Sequence, residues 1–373
     1  MNSSLGRKMM IAATTCLCAC LASCINSDGE CTGNGNEAPR SFLLNYEIPD
    51  AENSGETVTR AGTTPSTGTE NVIDHVRVLF FERDEYGNGT YIGSLSGQHP
   101  NQSLEKVGEL EITLADPIKE DTDYNVLVIA NADKYIAPAQ LDAFCQNRTE
   151  NLVKIELLPV LEAGVADGLF TVPDGCLPMS ASGVKEAEKG LKVTLLRAAV
   201  RIDVKTGVPD GEEKIIIEEA QVANILPAVP LFCDPRPMET AYLWGTKKRL
   251  TDADENEIKG GLYAMETYNT PIDRGELITR RTCLLVKCHT ESHTGSRCWY
   301  RIDINVEDTE TEGRTMQYLK RNNVYVVRID AIRSLGAKSA EEAYYADATL
   351  IASVTLPGKW QDSGLDTPDA DVN

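Results

Sequence analysis

The chain has 373 residues, 42% of them hydrophobic, and a formal net charge of −21. At roughly 150 residues per domain, this length holds about two domains once an export signal and a polar start are set aside, and the apolar content is enough for two ordinary cores. The charge excludes nucleic acid as a partner, because phosphate binding needs clustered Lys and Arg and no basic stripe occurs.

The first residues read as an address. Arg7 and Lys8 form a charged start, and Met9 to Ala22 is apolar but shorter than the roughly 20 residues of a membrane span. The run ends in Leu21, Ala22, Ser23 and Cys24, the pattern of a lipobox, in which small residues precede the cysteine that takes the lipid. Residues 1–23 are thus expected to be a lipoprotein signal and Cys24 the lipidation site, with a plain secretory signal cut elsewhere or a buried N-terminal helix as the alternatives. Several acyl chains on one cysteine would anchor the precursor stably.

Ile25 to Arg40 is too polar to bury a core and reads as a tether. In Ser41 to Ile48, Phe42, Leu44, Tyr46 and Ile48 alternate with Ser41, Asn45 and Glu47, which predicts a half-buried strand. A polar segment, 49–70, follows and contains Thr59, Arg60 and Ala61. Strands are then expected over His75 to Phe81, Leu110 to Leu114 and Tyr124 to Asn131, with the turn formers Asp84 to Gly89 making a hairpin connection and a short helix over Pro138 to Cys145. Leu191 to Val204 reads as one long strand closing a first domain, and the turn formers from Lys205 to Glu212 mark the boundary.

The second half repeats the style, with strands over Lys214 to Val222, Leu262 to Thr267, Arg281 to Cys288, Trp299 to Val306 and Asn323 to Ile332. Ala348 to Leu356 alternates again, placing Leu350, Ala352, Val354 and Leu356 on one face, before an acidic end at Gln361 to Asn373. Short strands at this spacing predict an all-β protein with a few short helices, built as two tandem antiparallel β-sandwich domains of transthyretin-like or Ig-like type. The expected division is a tether and first strand over 24–60, an N-terminal sandwich over 61–208 and a C-terminal sandwich over 209–373.

Candidate chemistry is sparse. Of the 11 cysteines, Cys16, Cys18, Cys20 and Cys24 fall in the first few dozen residues, and the others show no CxxC pair. Cys283, Cys288, His289, His293 and Cys298 are the one metal-like group, but their spacing fits no common zinc pattern, and Thr290 to Ser296 has the composition of a hairpin tip. Cys288 and Cys298 are therefore expected to face each other across two strands, as structural cysteines or a cross-strand disulfide. The run Asp252 to Asn256 resembles a calcium loop, yet Glu257 stands where glycine is needed and Tyr263 where a bidentate Glu is needed. No nucleophile or phosphate-loop motif occurs, so neither an enzyme nor a cofactor or metal site is expected.

Several segments together resemble the type V pilus fimbrillins, the major and minor fimbrial subunits of Bacteroidetes-type bacteria. They are the lipobox at Cys24, the Thr59-Arg60-Ala61 junction, Tyr124 to Asn131, Pro178 to Ser180, Arg197 to Asp203, and Lys320 to Tyr325 leading into Ile332 to Gly336. The resemblance implies a precursor that travels as an acylated lipoprotein to the outer membrane. An Arg-specific protease would then cut between Arg60 and Ala61, releasing the strand of Phe42, Leu44, Tyr46 and Ile48 and opening a groove for a neighbouring subunit's strand.

The implied partners are copies of the chain, accessory fimbrial subunits and a receptor on a host or bacterial surface; the implied final location is an extracellular fimbrium. The strand containing Leu350, Ala352, Val354 and Leu356 reads either as the donor or as the last strand of its own domain, in which case the chain would be a tip or adhesin subunit. A glycan-binding surface lipoprotein is the other alternative, but Trp244, Trp299 and Trp360 lie far apart in sequence and form no evident aromatic platform.

Overall fold

The computed structural model describes residues 40–49, 51–52, 68–103, 105–158, 165–166, 169–172, 175–187, 189–207, 213–228, 231–233, 243–250, 256–269, 281–293, 297–304, 317–346 and 350–360. In chain order the first half contains β1 (Ser41–Glu47), β2 (Ala51–Glu52), β3 (Ile73–Glu82), β4 (Tyr91–Ser103), β5 (Val107–Thr113) and β6 (Tyr124–Ala130). Helices α1 (Pro138–Cys145) and α2 (Glu150–Glu156) follow, then β7 (Val165–Ala166), β8 (Leu169–Phe170), β9 (Met179–Lys185), β10 (Leu191–Thr194), β11 (Leu196–Arg197) and β12 (Ala199–Thr206). The second half contains β13 (Ile215–Ala223), β14 (Trp244–Gly245), β15 (Lys248–Arg249), β16 (Glu257–Ile258), β17 (Tyr263–Met265), β18 (Thr267–Asn269), β19 (Cys283–Thr290) and β20 (Cys298–Asp303). It ends with β21 (Gln317–Leu319), β22 (Asn323–Ile332), α3 (Ala340–Tyr345) and β23 (Leu350–Trp360).

The protein is all-β with a few short helices. In the first half a sheet of order β10-β1-β5 faces one of order β11-β9-β6-β3-β4; in the second, β16-β12-β22-β23-β2 stands beside β15-β13-β19-β20. Two-faced burial explains the apolar runs. Every residue of β6 is buried, because one row faces the sheet of β1 while helices cover the other, and such strands read as continuous rather than alternating. Helix starts follow ordinary capping: Pro138 opens α1, and the side chains of Thr149 and Ser339 accept from Leu152 N and Glu342 N at α2 and α3.

Two strand expectations are corrected. Leu191 to Val204 is three strands, not one, and they lie in three sheets: β10 beside β1, β11 beside β9, and β12 beside β22. The chain changes sheet at Leu195 and Ala198, both buried, so the apolar pattern continues across each break and hides it. Leu262 to Thr267 likewise divides, β17 pairing with β12 and β18 with β21. One apolar core runs through both halves, from Phe42 to Ile329, so the described residues pack as a single compact unit.

Candidate functional site

β1 is the middle strand of its sheet. It pairs antiparallel with β5 from Ser41 opposite Thr113 to Glu47 opposite Val107, and parallel with β10 from Leu44 opposite Leu191 to Glu47 opposite Thr194. Hydrogen bonds beyond the ladder close its ends: Leu114 N donates to the Arg40 carbonyl at 2.8 Å, Ile48 N to Lys106 O at 2.7 Å, and Leu195 N to Glu47 O at 2.8 Å. Period-two alternation then sends Phe42, Leu44, Tyr46 and Ile48 into the core, where none is more than 6% exposed, and leaves Leu43 half exposed on the other face.

Each buried side chain has a shaped seat. The Phe42 ring meets Phe80 edge to face with centroids 6.2 Å apart. The Tyr46 ring meets His99 of β4 in the same manner at 5.7 Å, and its hydroxyl lies 3.0 Å from His99 Nε2. Glycine is required opposite it: a Cβ on Gly108 would lie 2.3 Å from the Tyr46 hydroxyl. Burial holds the His99 imidazole below its ordinary value of 6.5, partly offset by Glu105, and raises Tyr46 above its own.

A buried charged cluster sits where β1 ends. Arg197 is fully buried and donates Nη1 to the Pro49 carbonyl at 3.0 Å, Nε to the Glu70 carbonyl at 3.0 Å, Nη1 also to Asn322 Oδ1 at 3.2 Å, and Nη2 to Asn71 Oδ1. Arg201 donates to Glu70 Oε2 at 2.8 Å and to both Asp203 oxygens at 3.0 and 2.7 Å, while the Tyr263 hydroxyl donates to Glu70 Oε1 at 3.0 Å. Burial alone would lower the Arg201 guanidinium, but Asp203 and Glu70 outweigh it and raise it. Arg197 thereby grips both flanks of segment 50–69, which contains Arg60 and Ala61.

Of the residues singled out from the sequence, Cys24, Arg60 and Ala61 lie outside the described residues. Leu350, Ala352, Val354 and Leu356 fall in β23, which pairs antiparallel with β22, Leu350 opposite Ile332, Ala352 opposite Ile329 and Val354 opposite Val327. The far end of β23 also pairs with β2, Ala51 opposite Trp360. Cys288 and Cys298 do face each other across β19 and β20, as free thiols. Cys283 points to the opposite face, into the cluster beneath α3, so the metal-like group is divided between two faces of one sheet.

Burial pushes the Cys283 and Cys288 thiols up to about 12. Asn256 of the calcium-like run is structural, accepting from Ile217 N and donating to Thr206 Oγ1 and the Ile215 carbonyl. Trp244 and Trp299 pack in the cluster with Tyr344 of α3 rather than forming an exposed platform. Arg197 and Glu70 were not singled out individually from the sequence as site residues; a charged residue in a strand pattern ordinarily marks the solvent face.

Fold and groove define an all-β protein whose first strand fills the centre of a sheet. Residues 48–200 match the family model of the major fimbrial subunit protein (FimA). The structure is similar to a protein from Parabacteroides distasonis ATCC 8503 provisionally described as a cell adhesion protein, with a TM-score of 0.50 and 16% identity over 85% of this chain and 97% of that one. It is also similar to the C-terminally truncated tip fimbrial protein Mfa3 from Porphyromonas gingivalis, with a TM-score of 0.50 and 12% identity over 85% of this chain and 100% of that one. No curated protein sequence matches the chain. The resemblance read from the sequence is thus met by a match of segment 48–200 to the fimbrial-subunit family model and by a fold shared with the solved proteins above.

Proposed function

We propose that this chain is a shaft subunit of a cell-surface fimbria, exported as a lipoprotein acylated on Cys24 and polymerised by strand exchange after an Arg-specific protease cuts between Arg60 and Ala61. The observation that carries this reading is the central place of β1, with four apolar side chains seated in the core and a hydrogen-bonded neighbour on each side. Each such side chain contributes about 1.5–3 kcal/mol when buried. Together they rival the roughly 5–15 kcal/mol that holds a typical domain folded, so the body cannot keep the groove empty.

An emptied groove with two open strand edges is a template for β-strand addition: backbone bonds give affinity and alternating pockets give register. A head-to-tail contact of this kind does not close on itself and so builds a filament. The piece ending at Arg60 carries β2 as well as β1, so the cut that opens the groove also removes one neighbour of β23. We divide the body into two sandwiches near Ala198 rather than at 208, because β12 hydrogen-bonds β16, β17 and β22. The remaining partners of this reading are accessory subunits, the outer membrane through the lipid, and a surface receptor.

Treatment of the precursor with an Arg-specific protease is expected to give chains beginning at Ala61 and ladders that survive mild detergent. Chains that keep Cys24 in a sheared fimbria, or cut chains that stay monomeric, overturn it. A tip subunit is the second reading, favoured by the pairing of β23 with β22. It predicts that cut protein caps ladders of another subunit but forms none alone.

A further inference from the structure

The geometry points to a second site on this chain: a cleft bounded by β8, β13, β14, β15 and the turn from Lys259 to Gly261, which binds one carboxylate-bearing sugar residue. This gives a chemistry to the surface receptor of the reading above. It does not depend on strand exchange, because the lining runs from Phe170 to Tyr263 and stays with the body whether or not β1 leaves.

The walls of the cleft are backbone held in place by hydrogen bonds. Parallel pairing of β8 with β14 sets Gly245 opposite Phe170, and Thr246 N donates to the Phe170 carbonyl at 3.0 Å. On the other wall Gly260 and Gly261 have φ of 67° and 78°, a left-handed pair that glycine adopts without the penalty of a Cβ. Gly260 N donates to Asp203 Oδ1 at 2.9 Å, and Asp203 is itself gripped by the buried Arg201. Both walls are therefore fixed before a ligand arrives, which spares the ordering cost of binding. The space between them is about 280 Å³, at the small end of the roughly 300–1,000 Å³ of ligand pockets, so it suits a single ring rather than a long chain.

The lining presents three kinds of surface. Phe170, Val222 and Leu262 are otherwise buried and make an apolar floor, joined by Tyr263, whose hydroxyl is committed to Glu70. Thr171, Thr246 and the glycine backbone offer donors and acceptors along the sides. The charged residues of the lining, Lys248 and Lys259, are both basic, in a chain with 57 acidic and 36 basic residues. Lys248 lies along Gly261, where a Cβ would be 3.4–3.5 Å from its Cδ, Cε and Nζ. Lys259 Nζ is 2.9 Å from Glu257 Oε2, whereas among the described residues no carboxylate pairs with Lys248.

An acidic sugar matches all three surfaces at once. Its ring has an apolar C–H face for the floor, hydroxyls around its edge for the threonines and backbone, and a carboxylate for Lys248. An inorganic anion would leave the floor unused, and an apolar ligand would cover polar groups without pairing them. Lys248 selects the acid, since an ammonium and a carboxylate form a charge-assisted hydrogen bond that a neutral sugar cannot make.

Isothermal titration of the uncut chain tests this. At least one of glucuronic acid and N-acetylneuraminic acid is expected to bind, and glucose, the uncharged counterpart of the first, to bind about tenfold more weakly than the acid, a ratio that one hydrogen bond to a charged group supports. Lys248→Met keeps the stem along Gly261 and removes the charge. It should weaken the acidic sugar about tenfold and leave the midpoint of thermal unfolding unchanged. Lys247→Met is the control, because the Lys247 ammonium lies 5.0 Å from the Trp299 ring centroid, outside the cleft, and its loss should not alter binding. No binding of either acid up to about 10 mM, equal affinity for acid and neutral sugar, or a Lys248→Met protein that binds like the parent overturns the site. Inorganic phosphate or an Asp-rich peptide that binds as tightly as the acidic sugars overturns the assignment of a saccharide. The assay needs neither cut nor ladder, so its failure leaves strand exchange standing, and cut protein that stays monomeric leaves this site standing.

Discussion

β1 and β23 have the same residue pattern and opposite situations. β1 pairs with β5 along its whole length and with β10 from Leu44 to Glu47, and ends on a buried arginine, whereas β23, among the described residues, has one long neighbour, β22, and on its other side the two residues of β2. Alternation makes a segment a strand, but neighbours decide how firmly it is held. Of the two, the strand that the proposed cut removes is the more firmly held before the cut, and β23 is bordered on its second side by part of the same removable piece.

The sharpest way to break this comparison is to place a carboxylate in each strand. Leu44→Asp buries a charge with no partner and is expected to cost more than about 5 kcal/mol, so that the precursor does not fold cooperatively. Ala352→Asp, at a half-buried position, is expected to cost much less. Urea denaturation of both precursors checks this, and equal losses would erase the distinction. Next in size is Glu70→Ala, which leaves Arg201 with Asp203 as its remaining carboxylate partner and removes the acceptor of Tyr263; losing a hydrogen bond to a charged group costs about 1.5–3 kcal/mol. Its effect should appear as a lower midpoint of thermal unfolding.

Gly108→Ala sharpens the comparison further. The added Cβ falls on the Tyr46 hydroxyl and is expected to cost about 1–3 kcal/mol through overpacking. Replacing Tyr46 by Val, whose side chain lacks the ring and hydroxyl that the new Cβ meets, should relieve most of the loss. The smallest effect is pH dependence. Burial leaves the folded His99 pKa below its ordinary value of 6.5, so the folded precursor binds fewer protons than the unfolded chain. This contribution to stability is present above 6.5 and is lost progressively as pH falls below it. The precursor should therefore melt at a lower temperature at pH 5 than at pH 7, by less in His99→Gln, and the difference should shrink once β1 has been cut and lost.

Much of the fold was legible because it is local. The alternation of Phe42, Leu44, Tyr46 and Ile48 appears in the structure as the inward face of β1, the helix expected over Pro138 to Cys145 has those bounds, and the strand expected over Asn323 to Ile332 is β22. The facing of Cys288 and Cys298 also followed from a hairpin-tip composition between them. The division of Leu191 to Val204 among three sheets was not legible, since buried residues continue through both crossings. Nor was the role of the Arg197 and Arg201 side chains: their carboxylate and carbonyl partners at Pro49, Glu70 and Asn322 lie more than a hundred residues away in sequence.

The order of residues alone determined that this is an acidic, β-rich chain with an early alternating strand and a late one that echoes it. Those properties come from periodicity and composition, which neighbouring residues carry among themselves. That the early strand is a sheet centre, that its end is read by a buried guanidinium, and that the late strand lies between β22 and β2 came from folding. Strand neighbours and buried charge partners are chosen by packing among segments far apart in the chain, and no local pattern specifies that choice.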